Sequence, residues 1–243
     1  MIDFAKFSIF TDAIKGGFGL LSSGVIDVWT IVLTSLKVSS LAVSIALLIG
    51  IPFGYYLGTR RSVSRTTALV IANAGMGLPP TVVGLFISML LSRRGPLGDL
   101  GLLYSQTAMV IAQIVIAAPI VAAIVASGVS AVPAQLRLQV RSLGASRIQE
   151  AVLTLKESRM VLFAAVAAGF GSIISEVGAV QMVGGNLEGE TRVMTTAIVQ
   201  FTRMGNYPEA VALAIVLLAI IIAVNVFVTL GQTSSDRHTK AIN

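Results

Sequence analysis

Five long apolar runs, at roughly residues 32–57, 67–91, 103–127, 160–183 and 208–231, constrain this chain more than any other feature. A hydrocarbon core about 30 Å thick takes about 20 helical residues to cross. Inside it each segment must satisfy its own backbone polar groups, which a helix does and an open strand does not. Only 12% of the 243 residues are charged and 55% are hydrophobic, where a soluble domain carries about 25% charged residues. The expected fold is therefore an all-α integral membrane protein, one domain with about five transmembrane helices. Pro52, Pro79, Pro80 and Pro119 fall inside the runs, and Pro79-Pro80 is expected to kink or break the second helix.

Residues 1–24 precede the spans. Asp3, Lys6, Asp12 and Lys15 interrupt them, which argues against a cleavable signal. Phe4, Phe7, Phe10, Ile14, Phe18 and Leu21 recur every three or four residues, the stripe of a helix lying in the membrane surface. A slightly polar first spanning helix is the alternative reading. Residues 25–231 then form the transmembrane domain and 232–243 a polar tail.

The formal charge of +6 does not point to nucleic acid, because the Lys and Arg sit in short clusters between apolar runs and not along one helical face. They set orientation instead. With the amino terminus outside, Arg60, Arg61, Arg65, Arg137, Arg141, Arg147, Lys156, Arg159, Arg237 and Lys240 lie inside. Lys6, Lys15, Arg93, Arg94, Arg192 and Arg203 lie outside, and Lys37 falls within a span. This ten-to-six distribution puts the polar connection 128–159 and the carboxyl terminus in the cytoplasm, and the loop 184–207 outside. The chain has no cysteine and one histidine, His238. Disulfides, thiolate or histidine metal clusters and a cysteine nucleophile are thereby excluded, and no metal site is expected.

Residues 128–159 read as two short helices joined by a sharp turn. Pro133 suits a first helical position, and Leu136, Val140 and Leu143 share a face. Gly144 is placed to end that helix as a left-handed cap. Ser146 with Gln149 is a capping-box pattern for a second helix, whose Ile148, Val152 and Leu155 lie on one side. The expected product is a helical elbow projecting from the bundle.

The stretch Arg141-Ser-Leu-Gly-Ala-Ser-Arg-Ile-Gln resembles the cytoplasmic coupling loop of ABC importer permeases, with Gly144 matching that family's loop glycine. The flanking Leu138-Gln-Val and Lys156-Glu depart from the general pattern and fit one branch better. Leu155-Lys-Glu-Ser-Arg159, Ile174-Ser-Glu-Val-Gly-Ala-Val, Met182-Val-Gly-Gly-Asn186, Thr191-Arg, Thr195-Thr-Ala-Ile and Gly50-Ile-Pro are similar to tungstate-type permeases, relatives of the molybdate permeases. The resemblance spans most of residues 30–230. It implies a MetI-like permease fold in the cell membrane, with Arg141, Leu143, Gly144, Ala145 and Ser146 at the contact with an ATPase.

It also implies a homodimer over two ATP-binding subunits, served by an external oxyanion-binding protein. Substrate would be tungstate, with molybdate or sulfate as alternatives. No Gly-x-x-x-x-Gly-Lys-Ser/Thr run occurs, so the chain is not expected to be an enzyme or to hold a cofactor. ATP and Mg would belong to the partner. A self-contained secondary transporter or channel would need a coupling-ion site or a filter, and an intramembrane enzyme a nucleophile and base.

A dianion crossing hydrocarbon needs a wet, polar path, because an isolated ion there is held off by a Born penalty of tens of kcal/mol. Asn73, Thr81, Ser88, Gln113, Ser172 and Ser175 are the hydroxyl and amide candidates within spans; bonding to their own backbone or packing on a neighbour is the competing account. Lys37 and Glu176 are the charges nearest span interiors. They either pair at an outer gate, or Lys37 snorkels to headgroups while Glu176 reaches water. In the outer loop, Gly184, Gly185 and Asn186 form a turn. Arg192 and Arg203 either meet an anion or the binding protein's acidic rim, or are ordinary interfacial arginines.

Overall fold

The computed structural model describes residues 4–23, 26–59 and 63–240, and every regular element among them is helical. Arg60 and Arg61, which count toward the orientation, lie outside the described residues. In order the helices are α1 (Phe4–Ser23), α2 (Ile26–Thr59), α3 (Val63–Met76), α4 (Pro80–Leu91), α5 (Gln106–Ala131), α6 (Ala134–Ser142), α7 (Arg147–Glu157), α8 (Arg159–Ile174), α9 (Gly178–Gly184), α10 (Met194–Met204) and α11 (Tyr207–Lys240). A short 3-10 turn, Gly98–Leu100, lies between α4 and α5. Three helices are long and apolar enough to span a membrane by themselves: Val28–Thr59, Gln106–Ala131 and Tyr207–Gln232. The number reaches five if each of two bent helix pairs is taken as one span.

The expected break at Pro79-Pro80 is present, since α3 stops at Met76 and α4 starts at Pro80. Proline has no N–H to continue the ladder and pushes the residue before it out of helical geometry. A second break is not signalled by any proline. The run 160–183 is not one helix; α8 ends at Ile174 and α9 begins at Gly178. Between them the Glu176 carboxylate accepts from the Ala179 N–H at 3.0 Å, satisfying one of the orphan donors in the first turn of α9. Helix α11 continues as far as Lys240, so residues 232–240 of the polar tail are helical.

The described chain forms two compact units, with α2, α5 and α11 contributing residues to both. One contains residues 42–79, 114–173 and 224–243. Its core is Val121, Val125, Val129 and Ala165, with Leu47, Ile51, Tyr55, Ile124, Leu155 and Leu162 packed around it. Gly50, Gly54 and Gly58 of α2 meet Val121, Val125 and Val129 of α5 in step. A Cβ at Gly50 would lie 2.7 Å from Val121, at Gly54 2.8 Å from Val125 and at Gly58 2.7 Å from Val129. Residues four apart share a helix face, so three glycines form a groove that three valines fill, the small-residue packing that lets helices associate in lipid.

The other unit contains residues 1–41, 80–113 and 174–223. Here α4 packs on α9 so closely that a Cβ at Gly84 would sit 2.6 Å from the Ala179 Cα. Ser35, buried in α2, accepts from the Met194 N–H at 2.7 Å while donating to the Ile31 carbonyl at 2.8 Å. That bond satisfies an orphan donor at the start of α10. Thr191 donates to the Gly184 carbonyl at 2.5 Å and accepts from the Leu187 N–H at 2.9 Å.

Candidate functional site

The elbow is built by local rules. Helix α6 closes with a Schellman arrangement: the Gly144 N–H donates to the Arg141 carbonyl at 3.0 Å and the Ala145 N–H to the Val140 carbonyl at 3.2 Å. Gly144 adopts φ +90°, with open space where a Cβ would stand. Ser146 caps α7, accepting from the Gln149 N–H at 3.3 Å while Gln149 Oε1 accepts from the Ser146 N–H at 2.8 Å. Pro133 sits one residue outside α6, in an extended conformation at its N-cap, and not at the first helical position. The bend from α7 into α8 is 74°.

The elbow's apolar residues are divided between core and surface. Leu155 packs into the valine core, whereas Leu143 is 87% exposed and Ile148 77%, with Leu138 and Val152 also exposed. Exposed apolar side chains clustered on a polar connection mark a protein contact surface. Beside them a cavity of about 400 Å³ is lined by Tyr55, Tyr56, Thr59, Arg137, Arg141, Arg147 and Glu150. Tyr55 donates to Glu150 at 3.5 Å, and Arg141 Nε stands 3.9 Å from the same carboxylate. Sequence reasoning missed this basic pocket, although Arg137 and Arg141 on adjacent turns were its signal.

Among the path candidates, the structure brings Thr81 and Glu176 together at the starts of α4 and α9. A Cβ at Gly178 would lie 2.5 Å from Thr81 Cγ2 and 3.5 Å from Glu176 Oε1. Asn73, Thr81 and Ser175 are exposed; Ser88, Ser172 and Glu176 are intermediate. Gln113 is buried inside the chain, so it faces neighbouring groups. Ser88 donates to its own helix, to the Leu85 carbonyl at 2.8 Å.

Lys37 and Glu176 are not paired with each other within the described residues of one chain. Lys37 is exposed and takes part in no ion pair among the described residues, while the Glu176 carboxylate is engaged by Ala179 and its carbonyl accepts from Thr195 at 2.8 Å.

In the loop 184–207, Gly185 and Asn186 take left-handed conformations, φ +72° and +54°, forming the expected turn. Asn186 donates to Gln200. Arg192 is turned inward: its side chain is 10% exposed and contacts Glu188 at 3.3 Å. Arg203 is exposed.

Comparison with known proteins places this geometry. Residues 50–241 match the family of binding-protein-dependent transport system inner membrane components. The chain belongs to that family. The permease is 38% identical over 214 residues to the tungstate uptake system permease protein TupB of Peptoclostridium acidaminophilum, covering 88% of this chain and 94% of that one. It is 36% identical over 213 residues to a probable anion ABC transporter permease protein of Haloferax volcanii, covering 86% and 90%. Its fold is that of a chain in a bacterial alginate ABC transporter solved in complex with alginate pentasaccharide-bound periplasmic protein, at TM-score 0.73 and 16% identity over 94% of this chain and 87% of that one. The expectation of an all-α membrane permease is met.

Proposed function

We propose that this permease carries tungstate inward as one of two identical chains, above two ATP-binding subunits that hold ATP and Mg, and receives the anion from an external binding protein. The observation that carries this reading is the 38% identity to a tungstate permease across nearly the full length of both chains. The elbow supports the ATPase contact: Leu143 and Ile148 stand exposed on either side of Gly144 and Ser146, where the chain turns sharply. Arg141, beside the basic pocket, is placed to meet an acidic group of the partner.

Candidate path groups are the exposed Thr81 and Ser175 hydroxyls of one unit and, taken separately, Asn73 and Ser172 of the other. Thr81 lies at the N-terminal end of broken helix α4, where the helix dipole favours an anion. The distribution of Lys and Arg supports an outside amino terminus, a cytoplasmic elbow and a cytoplasmic carboxyl terminus. Residues 1–24 then lie in the interface and 25–231 span. Swinging of the elbows by the ATPases would alternate access from the two sides.

The test is reconstitution of the permease in liposomes with its ATPase, supplied with binding protein and tungstate, molybdate or sulfate. ATP-dependent uptake with tungstate preferred is the expected outcome. Uptake that proceeds without any ATPase would overturn the reading in favour of a secondary transporter.

A further inference from the structure

The arginines of the elbow outnumber the acids around them. Arg137, Arg141 and Arg147 share the cavity of about 400 Å³ with a single carboxylate, Glu150, so its lining groups carry an excess of two positive charges. That carboxylate is already engaged, since Tyr55 donates to it at 3.5 Å and Arg141 Nε stands 3.9 Å away. Arg137 and Arg147 form no ion pair among the described residues. Guanidinium groups donate and never accept, so anionic oxygens are what complement them.

The neighbouring surface decides what carries those oxygens. Helix α2 ends at Thr59 and α5 at Ala131, and each is also the end of a candidate span. Tyr55, Tyr56 and Thr59, in the last turns of α2, line the basic cavity, which therefore lies at a membrane surface, the level where Tyr collects. Further into the span a second cavity, of about 330 Å³, is lined by Ile49, Phe53, Ile71, Pro119 and Ala122. Ile49, Phe53 and Tyr56 stand at i, i+4 and i+7, one face of α2, and each is about half exposed. Phe53 and Tyr56 are separated by about 4.5 Å of helix rise, so the apolar groove leads up to the arginines. Both cavities belong to the unit of residues 42–79, 114–173 and 224–243. A free oxyanion would use the basic end alone, and a second copy seated on this face about a two-fold axis would bring arginines toward arginines. A phospholipid has the same order as the surface, acyl chain and then phosphate.

We propose that this face binds an anionic phospholipid, with its phosphate held by Arg137 and Arg147 and an acyl chain along Ile49, Phe53 and Ile71. The assignment goes beyond the transport reading and does not depend on which anion is carried.

Native mass spectrometry of the full-length permease in mild detergent tests it, with phosphatidylglycerol and phosphatidylethanolamine of identical acyl chains as competing probes. The expected result is a preference for phosphatidylglycerol of about tenfold, the scale of one or two guanidinium–headgroup contacts. The double variant Arg137→Gln/Arg147→Gln should bring that preference close to unity with the thermal midpoint unchanged. Arg93→Gln/Arg94→Gln, which removes two exposed arginines of the other unit, should keep it and so separates a site from general charge. Equal retention of the two lipids by the native protein, or an unchanged preference in the Arg137/Arg147 double variant, would overturn the assignment. So would displacement of the lipid by millimolar inorganic phosphate or tungstate, which would make the cavity a free-oxyanion site. Loss of the lipid when the ATPase subunit is added would also overturn it, by giving these arginines to the partner.

Discussion

Gly144 has a backbone that glycine adopts without strain, at φ +90°, and nothing stands within 4 Å of the point a Cβ would occupy. Gly144→Ala should therefore lose about 1 to 2 kcal/mol of turn stability and no packing. Gly144→Glu adds a long charge on the exposed tip between Leu143 and Ile148. Membrane abundance should stay near normal in both variants, with ATPase pull-down reduced for Ala and lost for Glu; normal pull-down and uptake by the Glu variant would remove the glycine from the contact. Glu176 is a different case, because its carboxylate caps α9 and does not reach Lys37. Effects of Lys37→Met and Glu176→Gln on uptake should accordingly be additive within about 0.5 kcal/mol, as for independent sites. A double variant markedly milder than the sum would restore the pair.

At the scale of elements, the contact of α2 with α5 rests on the missing side chains of Gly50, Gly54 and Gly58. Gly54 is the middle of the three, and a Cβ there would lie 2.6 Å from the Ala122 carbonyl oxygen. Backbone cannot give way as a side-chain tip can. Gly54→Leu should force the two helices apart at an overpacking cost of about 1 to 3 kcal/mol, read as a lower thermal midpoint in detergent. Gly19→Leu, with nothing within 4 Å, is the control that should leave the midpoint unchanged. The three glycines stand four apart in the sequence, but that spacing does not say which helix they meet. Val121, Val125 and Val129, which fill the groove, look in the sequence like any apolar face of a span.

For the whole molecule, orientation is open to a direct measurement, since the chain has no cysteine of its own. Ser142→Cys on the exposed end of α6 should react with an impermeant thiol reagent only from the cytoplasm, and Arg94→Cys only from outside. The reverse pattern would invert the topology and take the elbow away from any ATPase. What the sequence by itself determined is whatever acts within about four residues along the chain. That covers spans long enough for a bilayer, the break at Pro79-Pro80, the left-handed Gly144 and the Ser146–Gln149 cap, each set by backbone sterics or near-neighbour hydrogen bonds. Only the tertiary structure decided that Thr195 of α10 donates to the Glu176 carbonyl, that Ser35 serves the start of α10, and that Glu209 lines one cavity with Arg192 and Glu188. The reason is that lipid tails are as apolar as leucine, so hydropathy places a helix in the membrane but does not say which of its faces meets another helix. Lateral neighbours, and with them every polar contact between distant segments, follow from packing alone.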